Sequence, residues 1–425
     1  MIRTATRSEV RTCSWAVVAA IAGASFMASP APAQDLLIRG AKVHTASERG
    51  TLENTDVLVR GGKIAAVGTG LSAPSGATVV EARNRPLTPG LYAGLTDLGV
   101  AEVEAVASTM DGTVGFGAPA WHQQWRPEFD VTRAFNPRSV AIPVTRIEGL
   151  TWEVLVPGSA DSIIGGQGAA MSLDGRYDAV LEGSRSLFVS WNGPSAASGG
   201  SRAGLYMLIE QAVREARGKP AGDQAMLHPA GREVLDRYLD GGRVVFNVDR
   251  ASDILELVSF AQRNGMKPVI SGGAEAWVVA DQLARAQVPV ILNPLQNLPS
   301  GFNQIAARLD NAALLHKAGV RIAFTSGEVH NARKIRQAAG NAVAHGLPWE
   351  VALAALTATP AEIFGMSATR GQIAVGQAGD LVLWDGDPLD VVGLAEQVWI
   401  AGRAIEMRSR QTELRDRYFK QGSTP

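Results

Sequence analysis

Cysteine is almost missing from this sequence of 425 residues: the single one, Cys13, lies close to the start. Downstream of it no disulfide, thiolate metal ligand or thiol nucleophile is available. Charge of one sign is missing too, since 40 Lys and Arg face 41 Asp and Glu for a formal net charge of −1. That balance excludes the broad basic field of a nucleic-acid-binding surface, so no nucleic-acid partner is expected. Long apolar runs are also lacking. The longest uncharged one, Ser14 to Ala28, falls short of the roughly 20 residues that span a bilayer. What is plentiful is glycine and proline, 46 and 21 residues, in a chain that is 46% hydrophobic, as in a compact, turn-rich globular protein.

The first residues carry the pattern of an export signal. Arg3, Arg7 and Arg11 precede the apolar stretch, and Ala31-Pro32-Ala33 offers small residues where a signal peptidase cuts. Cleavage is expected after residue 33, leaving Gln34 first and a net charge of −3, because three Arg and Glu9 depart. No Arg-Arg pair precedes the apolar run, which points to the general secretory route. Cys13 lies before that run, the wrong place for lipid attachment. The expected product is secreted, periplasmic in a Gram-negative host, and not stably inserted in a membrane once cleaved.

Beyond the leader the texture changes twice. Leu36-Leu37-Ile38, Asp56 to Val59 and Lys63 to Val67 are short apolar runs broken by glycines. Gly371-Gln372-Ile373, Asp380 to Trp384 and Val398-Trp399-Ile400 repeat that texture at the far end, which suggests one sheet built from both termini. Between them, from Arg243 onward, strands and helices alternate. Val244 to Phe246, Pro268 to Ile270, Val288 to Leu292 and Val320 to Phe324 read as strands. Helices are expected from about Ser252 to Asn264, with Ser252 as N-cap and Gly265 as stop, from Glu275 to Ala286, and ending near Ala318. Such βα units imply parallel strands with right-handed crossovers. The length of the middle favours an eight-stranded barrel over a doubly wound sheet. Residues 100–240 are less regular, with Trp121, His122, Trp125 and Arg126 crowded together and a Ser/Gly/Ala stretch at Gly193 to Gly204.

Three segments in order, Asp35 to Gly90 ending in Leu87-Thr88-Pro89-Gly90, Gly346 to Ala361, and Gly376-Gln377-Ala378-Gly379-Asp380 through Asp387-Pro388, resemble the amidohydrolase superfamily in its imidazolonepropionase-like and prolidase-like branch. The resemblance implies an α/β fold, a (β/α)8 TIM-type barrel with a small β-sandwich composed of both termini. It divides the chain into a signal peptide (1–33), the N-terminal part of the sandwich (34–86), the barrel (87–369), the C-terminal part of the sandwich (370–412) and a tail (413–425). It also implies hydrolysis of non-peptide or dipeptide C–N bonds by zinc or another divalent metal, which lowers the pKa of a bound water.

Position by position, the metal ligands that the resemblance implies are replaced. The two histidines of strand 1 fall on Leu95 and Asp97, and the strand 4 region, Glu182 to Arg202, holds no lysine. The strand 5 histidine falls on Asn247, strand 6 ends in Val269-Ile270-Ser271-Gly272-Gly273, and strand 8 ends in Phe324-Thr325-Ser326-Gly327-Glu328. No metal or other cofactor is therefore expected. The candidate site residues are Asp97, Asn247, Glu328 and His330, the last two forming an acid/base pair or, alternatively, a helix entry. Asp249 with Arg250 reads as a salt bridge or cap, and Glu275 as a first-turn acid. Among the remaining histidines, His44 and His316 read as surface residues, His228 as a loop residue, His345 as a helix C-terminus, and His122 as packed on tryptophan. Three functions stay open: a divergent hydrolase, a metal-free catalyst using Glu328, His330 and Asp97, or a catalytically silent barrel. The last would bind a small-molecule ligand, form a homodimer, or pair with an active paralogous amidohydrolase.

Overall fold

The computed structural model describes residues 35–103, 105–114, 125–159, 162–219, 225–326 and 329–421. Residues 1–34, with the expected export signal, and Trp121, His122 and Glu328 lie outside them. The chain first lays down β1 (Leu36–His44), β2 (Thr51–Arg60), β3 (Lys63–Gly68), β4 (Thr78–Glu81) and β5 (Pro86–Pro89). Then follow β6 (Leu91–Thr96), β7 (Leu150–Leu155), β8 (Ile164–Ser172), β9 (Ser186–Ser190), β10 (Arg243–Val248), β11 (Lys267–Gly272), β12 (Val290–Leu292) and β13 (Ile322–Phe324). Last come β14 (Leu381–Trp384), β15 (Ala395–Ile400) and β16 (Arg403–Ala404). The helices are α1 (Ala141–Arg146), α2 (Arg202–Ala216), α3 (Pro229–Leu239), α4 (Ala251–Arg263), α5 (Ala280–Arg285), α6 (Asn311–Lys317), α7 (Ile335–Ala344), α8 (Trp349–Ala354), α9 (Ala358–Ile363) and α10 (Arg410–Gln421). Among the described residues no helix is long and apolar enough to cross a membrane.

Both chain ends share one sheet, in the order β16-β15-β14-β5-β1-β2-β3 with β4 beside β1. The join is the antiparallel pair β5–β14, where Leu87, Thr88 and Pro89 face Leu383, Val382 and Leu381. The second sheet, β6 through β13 in chain order, is a nearly closed barrel. Its strands run parallel except β8, which is antiparallel to both β7 and β9. The reason is length: residues 156–163 linking β7 to β8 are fewer than the dozen or so that a parallel crossover needs, so the chain must double back. This hairpin interrupts the βα alternation within residues 100–240.

Side chains of alternate residues enter the barrel and the helical layer around it, following the two-residue period of a strand. Leu95, Trp152, Val154, Phe188, Val245, Val269, Ile291 and Ala323 fill the lumen, which Phe364 and Met366 join after α9. Their neighbours Val189, Val244, Phe246, Ile270 and Ile322 pack outward with α2 through α8. The lumen is therefore a core and not a channel, and each buried side chain contributes roughly 1.5–3 kcal/mol.

Several local expectations are corrected. Helix α4 begins at Ala251, with Arg250 as N-cap and no side-chain cap, so Ser252 lies inside the first turn. The helix expected from Glu275 is a 3-10 turn, Ala276–Val279, followed by the short α5. Gly371 to Ile373 forms no strand; Ile373 donates its N–H to Thr45 O, fastening a loop to the end of β1. His44 is not on the surface: it is 8% exposed, 4.7 Å from the Trp349 ring, with Nδ1 2.9 Å from Thr51 Oγ1. His316 is exposed as expected, and His345 caps α7, its Nδ1 2.8 Å from Asn341 O.

Candidate functional site

Five of the barrel strands that fill the lumen with an apolar residue end two positions later in a polar one. The pairs are Leu95 with Asp97, Phe188 with Ser190, Val245 with Asn247, Val269 with Ser271 and Ala323 with Thr325. The two-residue period turns both members to the same side, so a polar tier stands above an apolar floor at the C-terminal mouth. There a cavity of about 450 Å³ opens, lined by these residues other than Val269 and Ala323, together with Met110, Thr113 and Val156. Catalytic groups of barrel folds sit at this end of the strands.

Asp97 and Asn247 thus meet at one cavity. Asp97 is half-buried, and its backbone carbonyl accepts from the N–H groups of Val100 and Ala101 in the turn leaving β6. His330 is exposed on the 3-10 turn before α7, with Nε2 3.2 Å from Asn331 Nδ2. It is not among the lining residues of the cavity. Glu328 lies outside the described residues.

Asp249 behaves differently from the salt bridge or cap expected of it. It is 6% exposed and accepts only from neutral donors: Ala274 N–H at 3.2 Å, Asn192 Nδ2 at 3.2 Å and Gln304 Nε2 at 2.9 Å. Its own N–H donates to Asn192 Oδ1 at 3.1 Å. Gly272, at φ +96°, lets this carboxylate come close, since a Cβ there would stand 2.7 Å from Asp249 Oδ1. Glu275 likewise spends its oxygens on backbone, accepting from Ala251 N–H at 3.1 Å and Ala306 N–H at 3.2 Å.

Sequence reasoning missed Asn192, Gln304 and Glu153. Glu153 interrupts the apolar run of β7 and is wholly buried, with the Thr96 hydroxyl beside its carboxyl. Burial, with the negative charge of nearby Asp97 second, pushes its carboxyl well above the usual carboxylate range. A single acid inside Leu150-Thr151-Trp152-Glu153-Val154-Leu155 was the available signal.

A divalent ion such as zinc needs three or four nitrogen, oxygen or sulfur donors at roughly 2.0–2.3 Å. Among the described residues no group of three His, Cys, Asp or Glu side chains gathers to hold one. The strand ends offer one carboxylate, one amide and three hydroxyls, namely Asp97, Asn247, Ser190, Ser271 and Thr325. This donor set does not fit such an ion.

The profile of the amidohydrolase family matches residues 181–406, more than half of the sequence. The chain belongs to the amidohydrolase family. This amidohydrolase is 38% identical over 92 residues to amidohydrolase tasK of Hapsidospora irregularis. That match covers 21% of this chain and only 9% of the relative, so the amidohydrolase spans a small part of that protein's length. Among solved structures, an amidohydrolase from Thermotoga maritima MSB8 superposes with a TM-score of 0.77 at 25% identity, covering 88% of this chain and 100% of that one. A putative prolidase from Bifidobacterium longum shares the fold, at a TM-score of 0.54 and 16% identity over 92% of this chain and 100% of its own.

Proposed function

We propose that this amidohydrolase is an exported protein whose barrel mouth binds a small molecule through side chains alone, the metal centre of its family having been dismantled. The supporting observation is the polar tier itself, in which a carboxylate, an amide and hydroxyls occupy the strand ends of a cavity large enough for a small ligand. The export leader at residues 1–33 supports secretion, periplasmic in a Gram-negative host. The family match favours a second reading, hydrolysis of a C–N bond with Asp97 as one ligand of a metal.

Metal content of the purified protein, expressed with zinc and manganese supplied, separates the two. The first reading expects far less than one ion per chain. Near-stoichiometric metal, about one ion per chain and lost in Asp97→Ala, overturns it and restores metal-assisted hydrolysis.

A further inference from the structure

Three residues of the polar tier stand in strict register. Asn247 on β10 pairs with Ser190 on β9 and, on its other side, with Ser271 on β11. All three line the cavity, so a hydroxyl, an amide and a second hydroxyl form a row at the strand spacing of about 4.8 Å. Neither serine hydroxyl has a hydrogen-bond partner among the described residues.

The amide in the middle of the row is fixed in direction. Asp249 N–H donates to Asn192 at 3.1 Å, which identifies the atom it meets as Asn192 Oδ1. Asn192 Nδ2 is therefore a donor, and it reaches Asp249 Oδ2 at 3.2 Å and Asn247 Oδ1 at 2.9 Å. Asn247 must spend its oxygen on Asn192, which leaves its Nδ2 as the group facing the cavity. The row thus offers one oriented donor flanked by two hydroxyls that each donate and accept. Beneath it lies the apolar floor of Leu95, Phe188 and Val245. No Lys, Arg or His stands among the described lining residues, so none of them supplies an anion with a counter-charge.

An apolar face below, a line of neutral hydrogen-bonding groups beside it and, among the described lining residues, no counter-charge for an anion match a ring that carries hydroxyls on its rim. We propose that the Ser190–Asn247–Ser271 row binds a neutral polyhydroxylated molecule of the size of a monosaccharide or cyclitol, with Asn247 Nδ2 donating to a ligand oxygen. This deepens the small-molecule reading of the cavity and rests on it.

Saturation-transfer NMR on the full protein tests it with D-glucose, D-galactose and myo-inositol. Glucose 6-phosphate serves as the anionic counterpart and the cyclic ureide hydantoin as a flat, hydroxyl-free ring. Transfer to a neutral polyol is expected. Affinity should fall about tenfold in Asn247→Asp, which replaces the donor by a charged acceptor, and about threefold in Ser271→Ala. Circular dichroism of both variants guards against misfolding. Unchanged polyol binding in a folded Asn247→Asp protein overturns the assignment to this row, and glucose 6-phosphate bound as well as glucose overturns the neutral class. Transfer to hydantoin alone overturns the polyol class while leaving the cavity a ligand site; silence from all five probes overturns both.

Discussion

The hydroxyl of Thr325 closes the barrel onto Leu95. Its Oγ1 accepts the Leu95 N–H at 3.0 Å and donates to the Leu95 carbonyl at 3.1 Å. Strands β6 and β13 are the two ends of the barrel sheet and share no ladder among the described residues, so a side chain takes the place of backbone pairing at the seam. Gly94 makes room for it: at φ +100°, a Cβ there would stand 2.9 Å from Thr325 Oγ1.

Thr325→Val keeps the shape of the side chain and strands two buried backbone groups of Leu95. It is expected to cost about 1–3 kcal/mol in urea unfolding, whereas Thr325→Ser, which keeps the hydroxyl, costs less. Equal losses in the two variants refute the seam hydroxyl.

Glu153 sets a dependence on pH. Its folded-state pKa lies above its unfolded value, so its contribution to stability is whole below about pH 4.3 and is lost as pH rises toward the folded value. Glu153→Gln removes that decline. Urea midpoints from pH 4 upward should fall for the parent protein relative to the variant; parallel curves contradict a raised pKa.

His44 acts in the opposite direction. Burial first, and Lys42 second, hold its pKa below the ordinary value, so its contribution is present above about pH 6.5 and is lost as pH falls through the folded value. Replacing it in His44→Gln flattens the acid side of the stability profile. A midpoint that drops as steeply below pH 6.5 in the variant as in the parent rules this out.

Much of the fold was legible because its signals are local. The βα alternation from Val244 to Phe324 reads directly from apolar runs and glycine stops, and the glycine-broken runs at both ends mark strands. The doubling-back at β8 was not legible, because antiparallel and parallel strands carry similar apolar runs and only the short 156–163 link tells them apart. At the site, Asp97 and Asn247 stood out through the family resemblance. Ser190 and Ser271 become visible only when strand register is known, since an isolated serine after an apolar run is too common to single out. Asn192 and Gln304 come from separate loops, and nothing in their local sequence ties them to Asp249. His44 misled for the same reason: its burial depends on Trp349, which is distant in the chain.

Arg336 fastens α7 to the loop between β14 and β15. Almost fully buried, it donates from Nη1 to the carbonyls of Pro388, Asp390 and Gly393 at 3.0–3.1 Å and from Nη2 to Glu148 at 3.3 Å. Its guanidinium lies 4.8 Å from the centre of the Trp384 ring. Arg336→Met is expected to cost about 3 kcal/mol, and Arg336→Lys a large part of that, because an ammonium cannot reproduce the planar fork. A lysine variant that melts with the parent protein argues against this fastening.

The β5–β14 ladder also orders events during synthesis. While the ribosome has yet to reach residue 381, β5 has no partner on the side that β14 will occupy, and the sheet ends in an open edge. Closing it waits until residues 381–384 have been made, so this edge of the sheet is among the last to be covered. A C-terminal truncation before β14 leaves the sheet with an adhesive edge.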